Sequence, residues 1–329
     1  MTPSRPLTVA THAVHADTIA LLCKRCEVDV CERPPSPEVL AVRAAHASAL
    51  LVFMPDRVDI RLLDACPELR IVAGAFKGAD NIDVEACTAR GVWVTVVPDL
   101  LSPSTAELAV GLIIAVARRI REGDVAVRGG QFAGWRPALY GTSLEGTAVG
   151  IVGMGSLGRA IAQRLSGFGC RLAYADPRVA DAEGLAPRTL EELLCESHVV
   201  VLAVPLTPAT HELINAERLA LMPPGAVLVN VGRGSTVEEQ AVVAALDSGR
   251  LAGYGADVFA MEDRSRAEAP AAISQALLDH PRNVFTPHLG SAVAEVRRDI
   301  EMRAAESILQ ALDDEEPAGA INSPSLDAR

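Results

Sequence analysis

The chain of 329 residues carries 42 acidic and 30 basic side chains, for a formal net charge of −12, and half of it is apolar with only 3 % aromatic. That length suits two domains, each large enough to bury its own core. The acidic balance and the absence of a basic run argue against a nucleic-acid surface, so an anionic ligand has to be attracted by a few placed cations. An interior built from Ala, Val, Leu and Ile suits parallel sheets buried under helices.

Short β-rich runs alternate with helical ones from the start. Leu7–Ala10, Val28–Cys31, Ala49–Phe53, Leu69–Ala75 and Val92–Val96 read as strands, separated by helices at His15–Arg25, Pro37–Ala45, Asp59–Ala65 and Asp83–Arg90. Alternation at these lengths predicts a parallel sheet with crossover helices over residues 1–99. The Asp99–Pro103 segment is a break. Ser104-Thr105-Ala106-Glu107 then fits a capping box opening a helix that runs to Arg118-Arg119. Its apolar residues surround most of its circumference, so it should be covered on several sides, by a partner subunit or within the chain. An irregular segment from Gly129 to Gly141 follows, carrying Trp135 and Tyr140.

The most informative stretch is Thr147 to Gly158, where a β-rich run leads into Gly153-Met154-Gly155-Ser156-Leu157-Gly158 and then a helical pattern. In such a Gly-x-Gly-x-x-Gly turn Gly153 allows the tight bend, Gly155 lets a pyrophosphate approach the backbone, and Gly158 lets helix and strand pack closely. The helix N-terminus offers free N–H groups to phosphates. A second strand, Arg171–Ala175, ends at Asp176, placed to bind a ribose 2′-hydroxyl and to repel a 2′-phosphate, which favours NAD over NADP. Arg178 is close enough to weaken that preference and keeps NADP within reach.

Further strands are expected at His198–Val204, Ala226–Val231, Ala252–Asp257 and Val284–Thr286, with helices at Leu190–Leu194, Asn215–Leu221 and Glu238–Ser248. A long helix from Ser291 to Leu312 and a polar tail from Asp313 close the chain. In open parallel sheets ligands bind beyond the carboxyl ends of the strands. Four reactive side chains lie just past such ends: Lys77, Arg233, Glu262 and His288. Each alone also reads as a solvated Lys, a surface Arg, a salt-bridged Glu or a satisfied core His. Together they suit hydride chemistry on an oxyanion: Arg233 grips two oxygens, His288 exchanges a proton, and Glu262 orients it.

The runs Val149–Gly158, Asn230-Val-Gly-Arg-Gly234, Ala256-Asp-Val-Phe259 and Thr286-Pro-His288, in this order and spanning nearly the whole chain, resemble the D-2-hydroxyacid dehydrogenase family. The resemblance implies an α/β fold of two domains. A doubly wound, NAD-binding Rossmann sheet over 100–291 is inserted in a flavodoxin-like substrate domain formed by 1–99 and 292–329. It implies that Arg233 binds the substrate anion and that His288 is the acid/base paired with Glu262. It also places Thr105, Pro205, Val231, Asp257 and His288 beside the cofactor, with Gly153 to Gly158 and Asp176. The family is typically dimeric, which would account for the helix from Ser104.

Other runs are similar to the phosphonate dehydrogenase branch, which oxidises phosphite to phosphate with NAD. They are Phe53-Met-Pro-Asp-Arg-Val58, Ala65–Arg70, Ala86–Trp93, Val97–Leu101, Met261-Glu-Asp263 and His288–Val293. Lys77 stands where common family members have a small or apolar residue, and Asp263 where they usually have Pro. The chain departs from the branch at Asp176, where glutamate stands, and in its C-terminal tail. Implied for the site are Lys77, Gly78 and Arg233 on the substrate, Met54 positioning Arg233, Ser291 and Tyr140 bordering it, and Trp135 lining it. Either His288 or Arg233 would activate the water, and Arg297 would point at the site or into solvent. The alternatives are a 2-hydroxyacid dehydrogenase or 2-ketoacid reductase, and a non-catalytic, NAD-sensing corepressor, against which the complete set of Arg233, Glu262 and His288 argues.

Seven cysteines are scattered without a disulfide frame. Cys23-x-x-Cys26 has no second pair at zinc-site spacing, so it reads as two half-buried thiols. Reduced thiols fit the cytosol. His12, His15 and Asp17 interrupt any leader-like run, and the longest apolar run, Leu108–Ala117, is too short to cross a bilayer. The expectation is a cytoplasmic homodimer without metal or membrane partner.

Overall fold

The structure, a computed structural model, describes residues 5–182, 184–263, 266 and 268–325. The chain divides into two compact units, residues 1–101 with 292–329, and residues 102–291.

The first unit runs β1 (Leu7–Ala10), α1 (Ala16–Leu22), β2 (Glu27–Val30), α2 (Pro37–Arg43), β3 (Ala47–Val52), α3 (Ile60–Ala65), β4 (Ile71–Gly74), α4 (Val84–Ala89) and β5 (Trp93–Thr95). Short polar side chains start the helices. Ser36 accepts from the Val39 N–H with Pro37 at the first helical position, Asp59 accepts from the N–H groups of Arg61 and Leu62, and Asp83 from that of Ala86. The five strands are parallel in the order β2-β1-β3-β4-β5, the flavodoxin-like order. Alternate residues point to opposite faces. Leu50 and Val52 of β3 join Val9, Val72 and Val94 on one side, while Ala49 and Leu51 face the other.

The second unit runs α5 (Ser102–Ala117), α6 (Ile120–Arg128), β6 (Ala148–Val152), α7 (Ser156–Leu165), β7 (Arg171–Ala175), β8 (Ala186–Pro187), α8 (Leu190–Glu196) and β9 (Val199–Leu202). It continues through α9 (Ala216–Leu221), β10 (Ala226–Asn230), α10 (Glu239–Asp247), β11 (Leu251–Ala256), α11 (Gln275–Asp279) and β12 (Val284–Phe285). Its seven parallel strands lie in the order β12-β11-β10-β9-β6-β7-β8, so the order reverses between β6 and β9. This is the doubly wound arrangement whose ligand crevice opens at that reversal. The chain then returns to the first unit as α12 (Ala294–Leu312), whose Ile300, Ala304, Ile308 and Leu312 cover the face bearing Leu51, Ile71 and Ala73.

One expectation is corrected, one open alternative is decided, and two features are added. The helix expected from a Ser104 cap starts at Ser102, because Pro103 fits a first turn whose N–H is unpaired anyway. Ser104 and Thr105 are therefore buried inside it, and Glu107 pairs with Arg164 of α7 (3.0 Å) rather than closing a box. The apolar circumference of α5 needs no partner subunit: Ala109, Leu112, Ile113 and Val116 pack in the core of their own unit, against α7, β10 and β11. The stretch after Arg119, which turns left-handed (φ 54°), forms the additional helix α6, an element with no buried residue. Finally, the tail after Asp313 docks along β5. Val96 donates to Gly319 O (3.0 Å), Ile321 donates to Val94 O (2.9 Å), and Asn322 Oδ1 accepts from Val94 (2.8 Å), which covers an otherwise open sheet edge. No helix among the described residues is long and apolar enough to cross a membrane.

Candidate functional site

The glycine turn has the geometry a dinucleotide requires. Gly153 has φ +94°, and a Cβ on Gly158 would lie 2.0 Å from Gly153 O, so helix and strand touch backbone to backbone. A Cβ on Gly155 would meet nothing within 4 Å, leaving the start of α7 open to a phosphate. Asp176, at the end of β7, accepts from the Met154 N–H (2.8 Å) and the Arg178 N–H (2.9 Å). Its carboxylate is thus tied to the glycine turn. Ser156 and Ser102 hydroxyls lie 3.0 Å apart, which brings the first turn of α5 beside that of α7. Met154 and Leu157 are buried beneath.

The ends of β11 and β12 bring Glu262 and His288 into contact. Past β12, His288 is held in the left-handed region (φ 56°), and its N–H donates to Asp257 O (2.9 Å). The buried Asp257 carboxylate accepts from Thr286 Oγ1 (2.6 Å), Leu289 N–H (2.6 Å) and Gly290 N–H (2.9 Å), clamping the turn from both sides. Burial pushes the Asp257 carboxyl up, against these donors and the nearby His288. Past β11, a single 3-10 turn, Ala260–Glu262, carries Glu262. One carboxylate oxygen accepts from the Phe259 N–H (2.7 Å) and the other lies 2.6 Å from His288 Nδ1. A carboxylate there selects the tautomer protonated on Nδ1 and leaves Nε2 as the acceptor. Both side chains stay about one-third exposed, at 32 % and 34 %.

Past β10, Arg233 stands on a loop fixed by the fully buried Asn230. The Asn230 amide donates to Arg233 O (2.9 Å), and its oxygen accepts from the Gly232 N–H (3.0 Å). Thr236 Oγ1 also donates to Arg233 O (2.6 Å). Val231 is buried at the root of this loop, Pro205 is exposed past β9, and Thr105 lies against Gly290 and therefore beside the His288 turn.

In the other unit, Lys77 and Gly78, both half-buried, follow β4, and Met54 follows β3. Asn81 stitches their loops together by donating to Phe53 O (3.3 Å) and Asp56 O (2.8 Å). Asp56 in turn accepts from the Phe53 N–H (2.7 Å) and from Thr11 Oγ1. Arg297 turns away from solvent, donating to Ala75 O (3.1 Å) with its guanidinium 5.5 Å over the Phe53 ring, and burial pushes its pKa down. Ser291 is half-buried at the end of the second unit. Trp135 and Tyr140 are 86 % and 75 % exposed on the segment after α6, so the chain alone does not enclose them in a site. Asn230, Thr286 and Asp56 fall in runs singled out in the sequence and Asn81 in none, but the clamping role of all four shows only in the tertiary contacts.

Residues 110–290 match the family model described as "D-isomer specific 2-hydroxyacid dehydrogenase, NAD binding domain". The chain is 38 % identical to a glyoxylate reductase of Thermococcus onnurineus and 39 % identical to one of Pyrococcus furiosus, in each case over 99 % of this chain and 98 % of the other. Among solved structures, a protein of Thermus thermophilus matches with a TM-score of 0.88 at 36 % identity, over 96 % of this chain and 100 % of the other. An NADPH-dependent glyoxylate/hydroxypyruvate reductase of Sinorhizobium meliloti, in complex with NADP and malonate, matches with a TM-score of 0.84 at 31 % identity, over 97 % of each chain. The glycine turn and Asp176 thus lie in an NAD-binding domain.

Proposed function

Because the chain belongs to the D-isomer specific 2-hydroxyacid dehydrogenase family and is an oxidoreductase, we propose that it oxidises a small oxyanion with NAD and that this anion is phosphite. NAD, when bound, supplies the hydride acceptor. Arg233 grips two substrate oxygens. His288, neutral and fixed by Glu262, takes at Nε2 a proton from the water whose oxygen bonds phosphorus, as the fourth oxygen of phosphate, while the P–H bond breaks and its hydrogen leaves as hydride. Glu262 then stabilises the imidazolium formed. The 2.6 Å Glu262–His288 bond supports the proton-transfer part of this reading.

Lys77 carries the substrate assignment. A 2-hydroxy acid has one negative charge, whereas phosphite near neutral pH is largely a dianion. A second cation at about 4 Å contributes on the order of 4 kcal/mol before desolvation, enough to select between them. With Gly78 and the Glu262-Asp263 pair, Lys77 follows the phosphonate dehydrogenase pattern.

Reduction of glyoxylate or a related 2-ketoacid is the second reading, and the names of the relatives favour it over phosphite. Arg233 would then hold the carboxylate while His288 gives its proton to the carbonyl oxygen. Assays of NADH formation with phosphite and of NADH consumption with glyoxylate decide between the two. Turnover of phosphite is expected; activity confined to glyoxylate and hydroxy acids sinks that assignment, and inactivity towards all of them favours a binding role. Lys77→Ala is expected to raise the KM for phosphite at least about tenfold while leaving that for NAD nearly unchanged. Unaltered phosphite kinetics would remove Lys77 from the site.

The same reading includes a homodimer. Val125 and Val127 of α6, with Phe132, Trp135 and Tyr140 after it, are exposed apolar side chains that a second copy of the chain would cover. Light scattering on the eluting protein should give twice the 34.6 kDa chain mass, and Phe132→Asp should weaken the association. A monomeric wild type refutes it.

A further inference from the structure

A second carboxylate holds the turn that carries Glu262. Glu239, the first residue of α10, accepts from the Ala260 N–H (2.8 Å), while Glu262 accepts from the neighbouring Phe259 N–H (2.7 Å). The single turn that bears Glu262 is therefore held by two carboxylates at consecutive backbone donors. Gly234 of the Arg233 loop rests on the same two residues, since a Cβ there would lie 1.9 Å from Phe259 C and 2.3 Å from Ala260 N. The groups facing Glu239 are Glu262 on the turn and the buried Tyr254 phenol on β11. Glu239 thus adjoins the supports of both Glu262 and Arg233.

We propose that Glu239 is a positioning residue for the proton-transfer pair: it locks the Ala260–Glu262 turn onto α10 and sets a second negative charge beside Glu262, the partner of His288. That charge favours the imidazolium that His288 becomes on taking a proton, which a neutral acceptor of the same shape does not do. The arrangement costs stability. Burial pushes the Glu239 carboxyl above the usual carboxylate range, the Ala260 N–H opposes this, and the Glu262 charge adds to it. The sign follows from linkage. A carboxyl raised by folding is protonated in both states at low pH and costs nothing there. The cost grows as pH rises above the ordinary carboxylate value and is complete above the raised one.

The proposal rests on His288 being the acid/base of the reaction. Its test is Glu239→Gln, which keeps an oxygen for the Ala260 N–H and removes the charge. Expected are a Tm above wild type at about pH 8, a difference that closes by about pH 4, and a kcat lower on the order of tenfold with the KM for NAD unchanged. The proton NMR line of His288 Nδ1–H, identified by its loss in His288→Asn, should also move upfield. Two results overturn the proposal: a Tm lowered equally at both pH values, which marks a plain structural acceptor, or an unchanged kcat with an unmoved Nδ1 line. Should the wild type turn over neither phosphite nor glyoxylate, the functional reading fails, while the Tm and NMR measurements still decide the role of Glu239.

Discussion

His288→Asn is expected to lower kcat by roughly a thousandfold while leaving the KM for NAD and the thermal midpoint close to wild type. The substitution is chosen for its backbone as much as for its chemistry. His288 sits at φ 56°, a region that Asn tolerates better than most residues, so the turn clamped by Asp257 should persist. The Asn amide can still donate towards Glu262, but nothing remains where Nε2 was to take or give a proton. Glu262→Gln should be milder, on the order of ten- to a hundredfold, because the imidazole stays and only its orientation and counter-charge are lost. A His288→Asn enzyme within a few-fold of wild type would remove His288 from proton transfer, whichever substrate is turned over.

How far the sequence reveals this site depends on how local each feature is. The glycine turn is legible because its three constraints, a positive φ, an open approach and a backbone contact, fall within six residues that only glycine satisfies together. Arg233, Glu262 and His288 are legible for a topological reason: in a parallel sheet every strand delivers its carboxyl end to one edge, so residues after β10, β11 and β12 can be grouped without coordinates. Asp257 is expected beside the cofactor on resemblance alone, yet its main structural work is to bind the turn that carries His288. Glu239 reads in the sequence as one more polar residue at a helix start, because its partner, the Ala260 N–H, is 21 residues away and carries no side-chain signal. The misplaced start of α5 has the opposite cause. Ser104 and Glu107 have the spacing of a capping box, but Pro103 begins the helix earlier, and Glu107 finds Arg164 on α7 instead. For Trp135 and Tyr140, a single chain supplies no neighbours that would cover them.

Gly234→Ala tests whether the Arg233 loop and the Glu262 turn act as one piece. Gly234 does not have a positive φ, so what it provides is close approach rather than conformational freedom. A methyl group there would lie 1.9 Å from Phe259 C and 2.2 Å from Phe259 O, and a backbone atom cannot rotate aside as a side chain would. Neither partner yields easily. Asn230 and Thr236 pin the loop through Arg233 O, and the Glu239 and Glu262 carboxylates pin the turn. Overpacking of this kind typically costs about 1–3 kcal/mol, and a backbone-on-backbone clash belongs at the upper end. For a unit of this size that lowers the thermal midpoint by roughly 5–10 °C. At a temperature where the variant is fully folded, kcat/KM for the anion should still fall about tenfold or more, because Arg233 is displaced relative to Glu262 and His288. Gly123→Ala is the control. It lies within α6, a Cβ there meets nothing within 4 Å, and helix propensity alone should leave stability unchanged or raise it by up to about 1 kcal/mol. A Gly234→Ala enzyme with the wild-type midpoint and kcat/KM would mean that loop and turn adjust independently, and the two halves of the site would then need separate accounts.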